Sequence, residues 1–171
     1  MTRPVRREGR GGVLVLCLGN PDRGDDGIGA LVAERLRGLL PAGAELRLRT
    51  GDILAAIEDW AGFDALICVD AAAAAERPGR MHRIDLACDA LPRDIGLASS
   101  HAFGLAEAIG LARTLQLAPR QMIVYAIEGA CFDAGAPISP ELAARADALA
   151  DEIAREARRL GAIAAEEPAD A

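Results

Sequence analysis

The densest group of residues able to do chemistry lies at positions 19–29, where the chain reads GNPDRGDDGIG. An apolar run precedes this segment and a helical pattern follows it, which is a common place for a phosphate-binding loop. Val32, however, stands where the GxGxxG pattern requires its third glycine, and Asp25 and Asp26 stand where a P-loop carries Lys and Ser or Thr. Carboxylates repel phosphate and attract cations, so the segment favours a metal or a hydrogen-bond donor as its ligand.

The two neighbouring acids are expected to have different roles. Either can cap the following helix, because a carboxylate oxygen accepts hydrogen bonds from the unpaired amides of a first helical turn. Asp25 is the better cap, since Gly27 and Ile28 then supply those amides. This leaves Asp26 to face the crevice as the candidate ligand, while Gly27 and Gly29 let the helix approach the sheet closely.

A third acid and two histidines complete the candidates. Asp70 ends a strongly apolar run and five alanines follow it, so it either caps the next segment or faces the crevice and finds a partner elsewhere in the fold. His101 follows two serines at the start of a predicted helix. It is either a solvated or capping residue, or a metal ligand. The helix N-terminus favours the neutral, metal-binding imidazole. His82 lies in a weaker strand pattern and is expected at the surface.

Three of these residues come together if the strand assignments hold. Asp26, Asp70 and His101 then each lie just past the carboxyl end of a strand, which is the edge where open α/β sheets bind their ligands. Two carboxylates and one imidazole form an incomplete coordination set for a divalent ion, with positions left for water or a substrate.

The composition excludes several other chemistries. The chain has 171 residues, 51% of them apolar, which suits one compact domain with a real core. Its 26 acidic and 19 basic residues give a net charge of −7, and every basic residue is Arg. Without Lys there is no P-loop lysine, Schiff base or Ser-Lys dyad. The acidic balance also argues against general nucleic-acid binding.

The apolar segments indicate a cytoplasmic protein. No run approaches the roughly 20 residues of a membrane helix, and the run at 13–18 is too short for a secretory signal. The four cysteines are scattered without a CxxC motif, and Cys17 and Cys68 are expected as buried thiols within strands.

Strand and helix patterns alternate along the chain. Short apolar runs predict buried strands at 13–18, 65–69 and 122–127, with weaker strands at 45–49 and 81–86. Helical spacing favours helices at 28–40, 53–60 and 105–117, and a last helix from Ser139-Pro140 to its stop at Gly161. The predicted fold is one α/β domain over 13–160, an open, mainly parallel sheet with helices on both faces, between flexible tails at 1–12 and 161–171.

Several of these motifs, in this order, resemble the hydrogenase maturation proteases, which trim the large subunit of nickel-iron hydrogenases. The resemblance runs from about residue 13 to residue 157. Its motifs are LGN at 18–20, DDGIG at 25–29, CVDA at 68–71, SH at 100–101, IE at 127–128, and the segment from Phe132 through Gly135 to ISP at 138–140. Gly129 departs from the family, where a proline is common, and this change is expected to affect a loop only.

The resemblance implies a parallel α/β sandwich related to phosphorylase-like hydrolases, with Asp26, Asp70 and His101 as its metal-binding triad. It further implies an endopeptidase that acts on the nickel-loaded precursor of the large subunit and removes a C-terminal extension. The triad would engage the substrate's nickel, whereas the metal content of the enzyme itself stays open. Either a metal-bound water or a carboxylate base could carry out hydrolysis. The precursor is the expected partner, and a monomer is the default.

Two rival functions remain at this stage. One is a nickel-sensing binding or checkpoint module that does not cut. The other is an α/β enzyme acting on a nucleoside or another small molecule, against which the acidic loop and the missing Lys both count.

Overall fold

The computed structural model describes residues 11–51, 53–73, 77–89 and 102–166. Its strands are β1 (Val13–Leu18), β2 (Ala44–Arg49), β3 (Ala65–Ala72), β4 (Met81–Asp85) and β5 (Gln121–Glu128). Its α-helices are α1 (Ile28–Leu36), α2 (Ala56–Trp60), α3 (Ala102–Thr114), α4 (Pro140–Ala143) and α5 (Ala146–Glu166). A short 3₁₀ helix (Gly24–Gly27) comes before α1.

The strands form one sheet in the order β2-β1-β3-β5-β4. Strands β2, β1, β3 and β5 are parallel to one another, and β4 pairs antiparallel with β5 at the edge of the sheet. Every residue of β1 and β3 is buried, which explains their continuous apolar runs, because a central parallel strand is covered on both faces. The predicted mainly parallel α/β sheet is confirmed.

Two apolar layers cover the sheet. Helices α1 and α5 pack on one face of the sheet, over Val15, Ile67 and Ile123. Helices α2 and α3 pack on the other face, over Leu16 and the other strand residues that point to that side. No described helix combines the length and apolar character needed to cross a bilayer.

The last predicted helix is divided into α4 and α5, and α5 continues beyond the predicted end. The prediction that Gly161 stops this helix is wrong, since α5 runs on to Glu166. A glycine costs about 1 kcal/mol in a helix interior, but Leu160 before it is fully buried and Ala162 after it is a good helix former. A Cβ on Gly161 would lie 3.9 Å from Val13, so the helix passes near β1 at this point. Of the predicted tails at 1–12 and 161–171, residues 1–10 and 167–171 lie outside the described residues, and 161–166 belong to α5.

The remaining boundaries differ by a few residues. Helix α1 ends at Leu36 instead of continuing to residue 40, and α3 covers Ala102–Thr114 instead of 105–117. Strand β3 does not end at Asp70 but pairs with β5 as far as Ala72. Asp70 therefore lies within the strand, and its position is fixed by the sheet.

One glycine sets the distance between α1 and the sheet. A Cβ on Gly29 would lie 2.0 Å from the backbone oxygen of Leu18, so only glycine allows the helix to lie this close to β1. Gly27 has a different neighbour, since a Cβ there would approach Pro21 at 3.1 Å. The predicted close approach of helix and sheet is confirmed at Gly29.

We expect Gly29→Ala to destabilise the protein by about 1–3 kcal/mol, because the added methyl group overlaps fixed backbone. Gly110→Ala is the matched control: it lies in α3, nothing stands within 4 Å of its Cβ position, and helix propensity alone should stabilise it by about 0.5–1 kcal/mol. Urea unfolding measures both free energies. Equal stabilisation by the two substitutions would contradict the close approach.

Candidate functional site

The first loop is fixed to a distant one through the carboxylate of Asp25. Its Oδ2 accepts hydrogen bonds from the amides of Ala130 (2.6 Å) and Cys131 (3.1 Å), and its Oδ1 accepts one from Ser139 (2.6 Å). The backbone amide of Asp25 donates in turn to the carbonyl of Cys131 at 2.8 Å. The loop that follows β5 is thereby held against the loop that follows β1.

The prediction that Asp25 caps α1 is wrong. The N-cap of that helix is Gly27, which makes no side-chain capping bond, and Asp25 lies within the preceding 3₁₀ helix. Burial acts to raise the pKa of Asp25, but the amides of Ser139, Ala130 and Cys131 hold the pKa below its ordinary value. The carboxylate is therefore kept charged by backbone donors from the other loop.

Asp26 lies next to this anchor and is almost completely buried. Its Oδ2 accepts a hydrogen bond from the amide of Asn20 at 3.0 Å. Its Oδ1 has no hydrogen-bond partner among the described residues, although it is shielded from solvent. A buried carboxylate oxygen without a donor or cation is costly, so such an atom indicates a site for one. The role of Asp26 as a ligand stays a prediction.

Asp70 approaches the same edge of the sheet from β3. The register pairs Cys17 of β1 with Val69, which sets Asp70 beside the end of β1, where the first loop begins. The 3₁₀ helix that contains Asp26 also packs against β3. The carboxylate of Asp70 is fully buried, and its Oδ1 accepts a hydrogen bond from the amide of Ala71 at 2.9 Å. The structure thus brings the two predicted carboxylates to one edge.

The third predicted residue, His101, lies outside the described residues, and its role stays a prediction. Helix α3 begins directly after it, at Ala102, and packs on the face of the sheet that includes Cys68 and Ala72. Asp70 shares that face, because alternate residues of a strand point to the same side. Among the described residues, no cluster of three His, Cys, Asp or Glu side chains is close enough to hold a metal ion.

His82 lies on the same face of the sheet as Asp70. His82 is paired with Glu128, with 2.6 Å between Nε2 and Oε1, and its side chain is only 22% exposed. Ala126 stands opposite Asp70 on one side and opposite His82 on the other, so these three residues form one row across three strands. His82 was predicted as a surface residue and is partly exposed, and antiparallel β4 brings it toward the carboxyl edge.

Gly129, where the family commonly has proline, has a packing role. A Cβ at this position would lie 2.6 Å from the ring of Phe132 and 2.8 Å from Cβ of Asp25. Its amide also donates to the carbonyl of Ala72 at 3.2 Å, a bond that proline cannot make. The departure therefore reaches beyond the loop, since Gly129 lets the loop pack directly on the Asp25 anchor.

We expect Asp25→Ala to destabilise the protein by about 3 kcal/mol or more, because three backbone amides lose their acceptor. Asp22→Ala, an exposed acid in the same loop, should change the free energy of unfolding by less than about 0.5 kcal/mol. Chemical denaturation compares the two variants, and similar stabilities would show that the anchor is unimportant.

The Asp25 anchor should also be sensitive to acid. Because its pKa is lowered in the folded state, its contribution is present above the unfolded pKa of about 4 and is lost as the pH falls through the folded value. The difference in unfolding free energy between the wild type and Asp25→Asn should therefore shrink as the pH is lowered from 6 toward about 2. A difference independent of pH would contradict this assignment.

The comparisons with known proteins agree with the geometry. A family model described as hydrogenase maturation protease matches residues 50–156, whereas no curated protein sequence matches the chain. The fold is similar to that of the hydrogenase maturating endopeptidase HybD from E. coli, with a TM-score of 0.73 and 22% identity over 88% of this chain and 94% of that one.

It is also similar to the [NiFe] hydrogenase maturation protease HycI from Thermococcus kodakarensis, with a TM-score of 0.68 and 23% identity over 86% of this chain and 92% of that one. At this identity the two structures support the fold, and the family match carries the assignment. The chain belongs to the hydrogenase maturation protease family and is a peptidase.

Proposed function

We propose that this peptidase removes the C-terminal extension from the nickel-loaded precursor of the large subunit of a nickel-iron hydrogenase. Asp26, Asp70 and His101 engage the nickel that the substrate carries, and the protein acts as a cytoplasmic monomer. The observation that carries the proposal is Oδ1 of Asp26, which is buried and has no hydrogen-bond partner among the described residues, at the sheet edge that Asp70 also occupies.

Two carboxylates and one imidazole are suited to binding a metal that arrives with its substrate. Carboxylate and imidazole groups bind divalent transition metals, and three protein ligands leave coordination positions to the substrate's own groups. Asp26 is held by the amide of Asn20 and by its neighbour Asp25, so its position is fixed before the substrate arrives. A precursor without nickel would lack the cation that this site recognises.

A nucleophilic role for Cys17 or Cys68 is disfavoured by burial. Loss of solvation raises the pKa of the Cys17 thiol to about 12, and burial together with the negative charge of Asp70 raises the pKa of Cys68 further. Both thiols stay protonated near neutral pH, and a protonated thiol is a poor nucleophile. Hydrolysis by water, activated by a metal or by a carboxylate base, is the chemistry that the remaining groups support.

After the peptide bond is cut, the extension leaves and the large subunit closes over its metal centre and pairs with the small subunit. Dependence on nickel would ensure that this closure follows metal insertion. The bond cut is the one just beyond the last metal-binding motif of the precursor.

We expect Asp26→Asn to lower the rate of processing by about 100-fold or more, because the amide lacks the negative charge that engages the cation. Mass spectrometry of the nickel-loaded precursor measures loss of the extension. Asp22→Asn, in the same loop but exposed, is the control and should process at the wild-type rate. Normal processing by a folded Asp26→Asn protein would overturn the role of Asp26.

We expect His101→Gln to abolish processing of the nickel-loaded precursor while the circular dichroism spectrum stays unchanged. Normal processing by this variant would remove His101 from the proposed triad. If the wild-type protein binds the nickel-loaded precursor but never shortens it, the proposal fails in favour of a nickel-sensing checkpoint module.

A further inference from the structure

A cavity of about 670 Å³ lies near the end of β5, on the face of the sheet covered by α5. Its apolar floor is formed by Ile127 of β5 and Leu149 of α5. Its charged lining consists of Arg77, Arg80, Arg145 and Glu152. Three guanidinium groups therefore meet around one cavity in a chain whose net charge is −7.

These three arginines differ from several others in the described part of the chain. Arg35, Arg47 and Arg83 form ion pairs with carboxylates, whereas no carboxylate lies within 4.0 Å of Arg77, Arg80 or Arg145 among the described residues. All three are exposed, and Glu152 is the sole carboxylate of the described lining. The cavity thus has a surplus of positive charge that the described residues do not neutralise.

The arginines are presented by rigid backbone. Residues 77–80 read Arg-Pro-Gly-Arg and form a turn closed by a hydrogen bond from the amide of Arg80 to the carbonyl of Arg77 (3.1 Å). Gly79 has a φ of +83°, as the third position of a type II turn requires, and its amide donates to the carbonyl of Glu128 at 2.7 Å. The turn is thereby fixed to the end of β5, with one arginine at each of its ends.

The third arginine reaches the cavity from the start of α5. A Cβ on Gly79 would lie 3.7 Å from Cγ of Arg145, so the stem of Arg145 lies over the turn. The segment that leads to Arg145 begins at Ser139, whose amide is bonded to Asp25. Cavity and candidate site thus share one edge of the sheet and one connecting segment.

We propose that this cavity binds an acidic segment of the substrate polypeptide, with carboxylates on the three arginines and an apolar side chain on the floor. The inference rests on the proposed function for the identity of that polypeptide. Guanidinium groups bind carboxylates through paired hydrogen bonds. The volume and the apolar floor suit a peptide segment better than a small inorganic anion, and the overall negative charge disfavours long polyanions such as nucleic acids.

The direct test uses the fluorescently labelled peptide acetyl-(Glu-Leu)₃-amide and its Gln-Leu counterpart, with anisotropy as the readout. We expect saturable binding of the acidic peptide, a dissociation constant raised about fivefold by Arg80→Gln or Arg145→Gln, and a larger increase when both are changed. Arg37→Gln, an exposed arginine after α1, is the matched control and should leave binding unchanged. Unchanged thermal unfolding of the variants shows that the fold is intact.

Three outcomes would overturn the inference: equal binding of both peptides, binding unaffected by the arginine variants, or full displacement of the acidic peptide by an equal concentration of inorganic phosphate. With the nickel-loaded precursor, Arg80→Gln/Arg145→Gln should raise KM and leave kcat unchanged. The two proposals fail separately. A wild-type protein that binds the acidic peptide but cuts no precursor contradicts the peptidase substrate alone, whereas normal KM in the variants contradicts the cavity alone.

Discussion

The carboxylate of Asp25 is the interaction on which the site depends. Asp25 belongs to the loop after β1, and its carboxylate accepts hydrogen bonds from three backbone amides of the loop after β5. Strand β3 separates β1 from β5 in the sheet. Only a carboxylate can accept so many hydrogen bonds without bringing a donor of its own. The backbone bonds from Gly24 to Ala136 and from Gly135 to Asp22 connect the same two loops. The position of Asp26 follows from this connection, because Asp26 is the next residue.

The sheet edge where these loops meet is stepped. Strand β1 ends at Leu18, beside Asp70, whereas β3 and β5 continue together to Ala72 and Glu128. Asp70 therefore lies where β1 has ended but β3 and β5 still pair. The loop that follows β1 lies on the other side of Asp70. Gly29 allows α1 to pack closely against β1, so the end of β1 has little freedom to shift. A buried carboxylate in such a place is fixed by backbone on two sides.

The sequence was sufficient for the strands of the parallel sheet, because β1, β3 and β5 are buried on both faces and therefore appear as unbroken apolar runs. The role of Asp25 could not be predicted, since the amides it binds lie 105 to 114 residues away in the chain. The pairing of His82 with Glu128 could not be predicted for a similar reason. The position of His82 at the carboxyl edge depends on the direction in which β4 pairs, and a weak strand pattern does not contain that information.

Tertiary packing also determines the structural roles of two glycines. Gly161 should end a helix by propensity, but α5 continues because Leu160 is buried against the sheet. Gly129 differs from the family pattern and proves to be a packing requirement, since the ring of Phe132 and the side chain of Asp25 occupy the space of a Cβ. At Gly129 the contact with Asp25 joins residues that are far apart in the chain. His101 remains a prediction from the sequence and the resemblance.

The cavity lined by Arg77, Arg80 and Arg145 has a consequence for titration. A guanidinium group stays protonated at every pH at which a protein is ordinarily folded, and this chain has no lysine that could lose its charge instead. The positive field of the cavity is therefore constant. The three arginines thus give the described lining a permanent positive charge, against which Glu152 is its sole carboxylate.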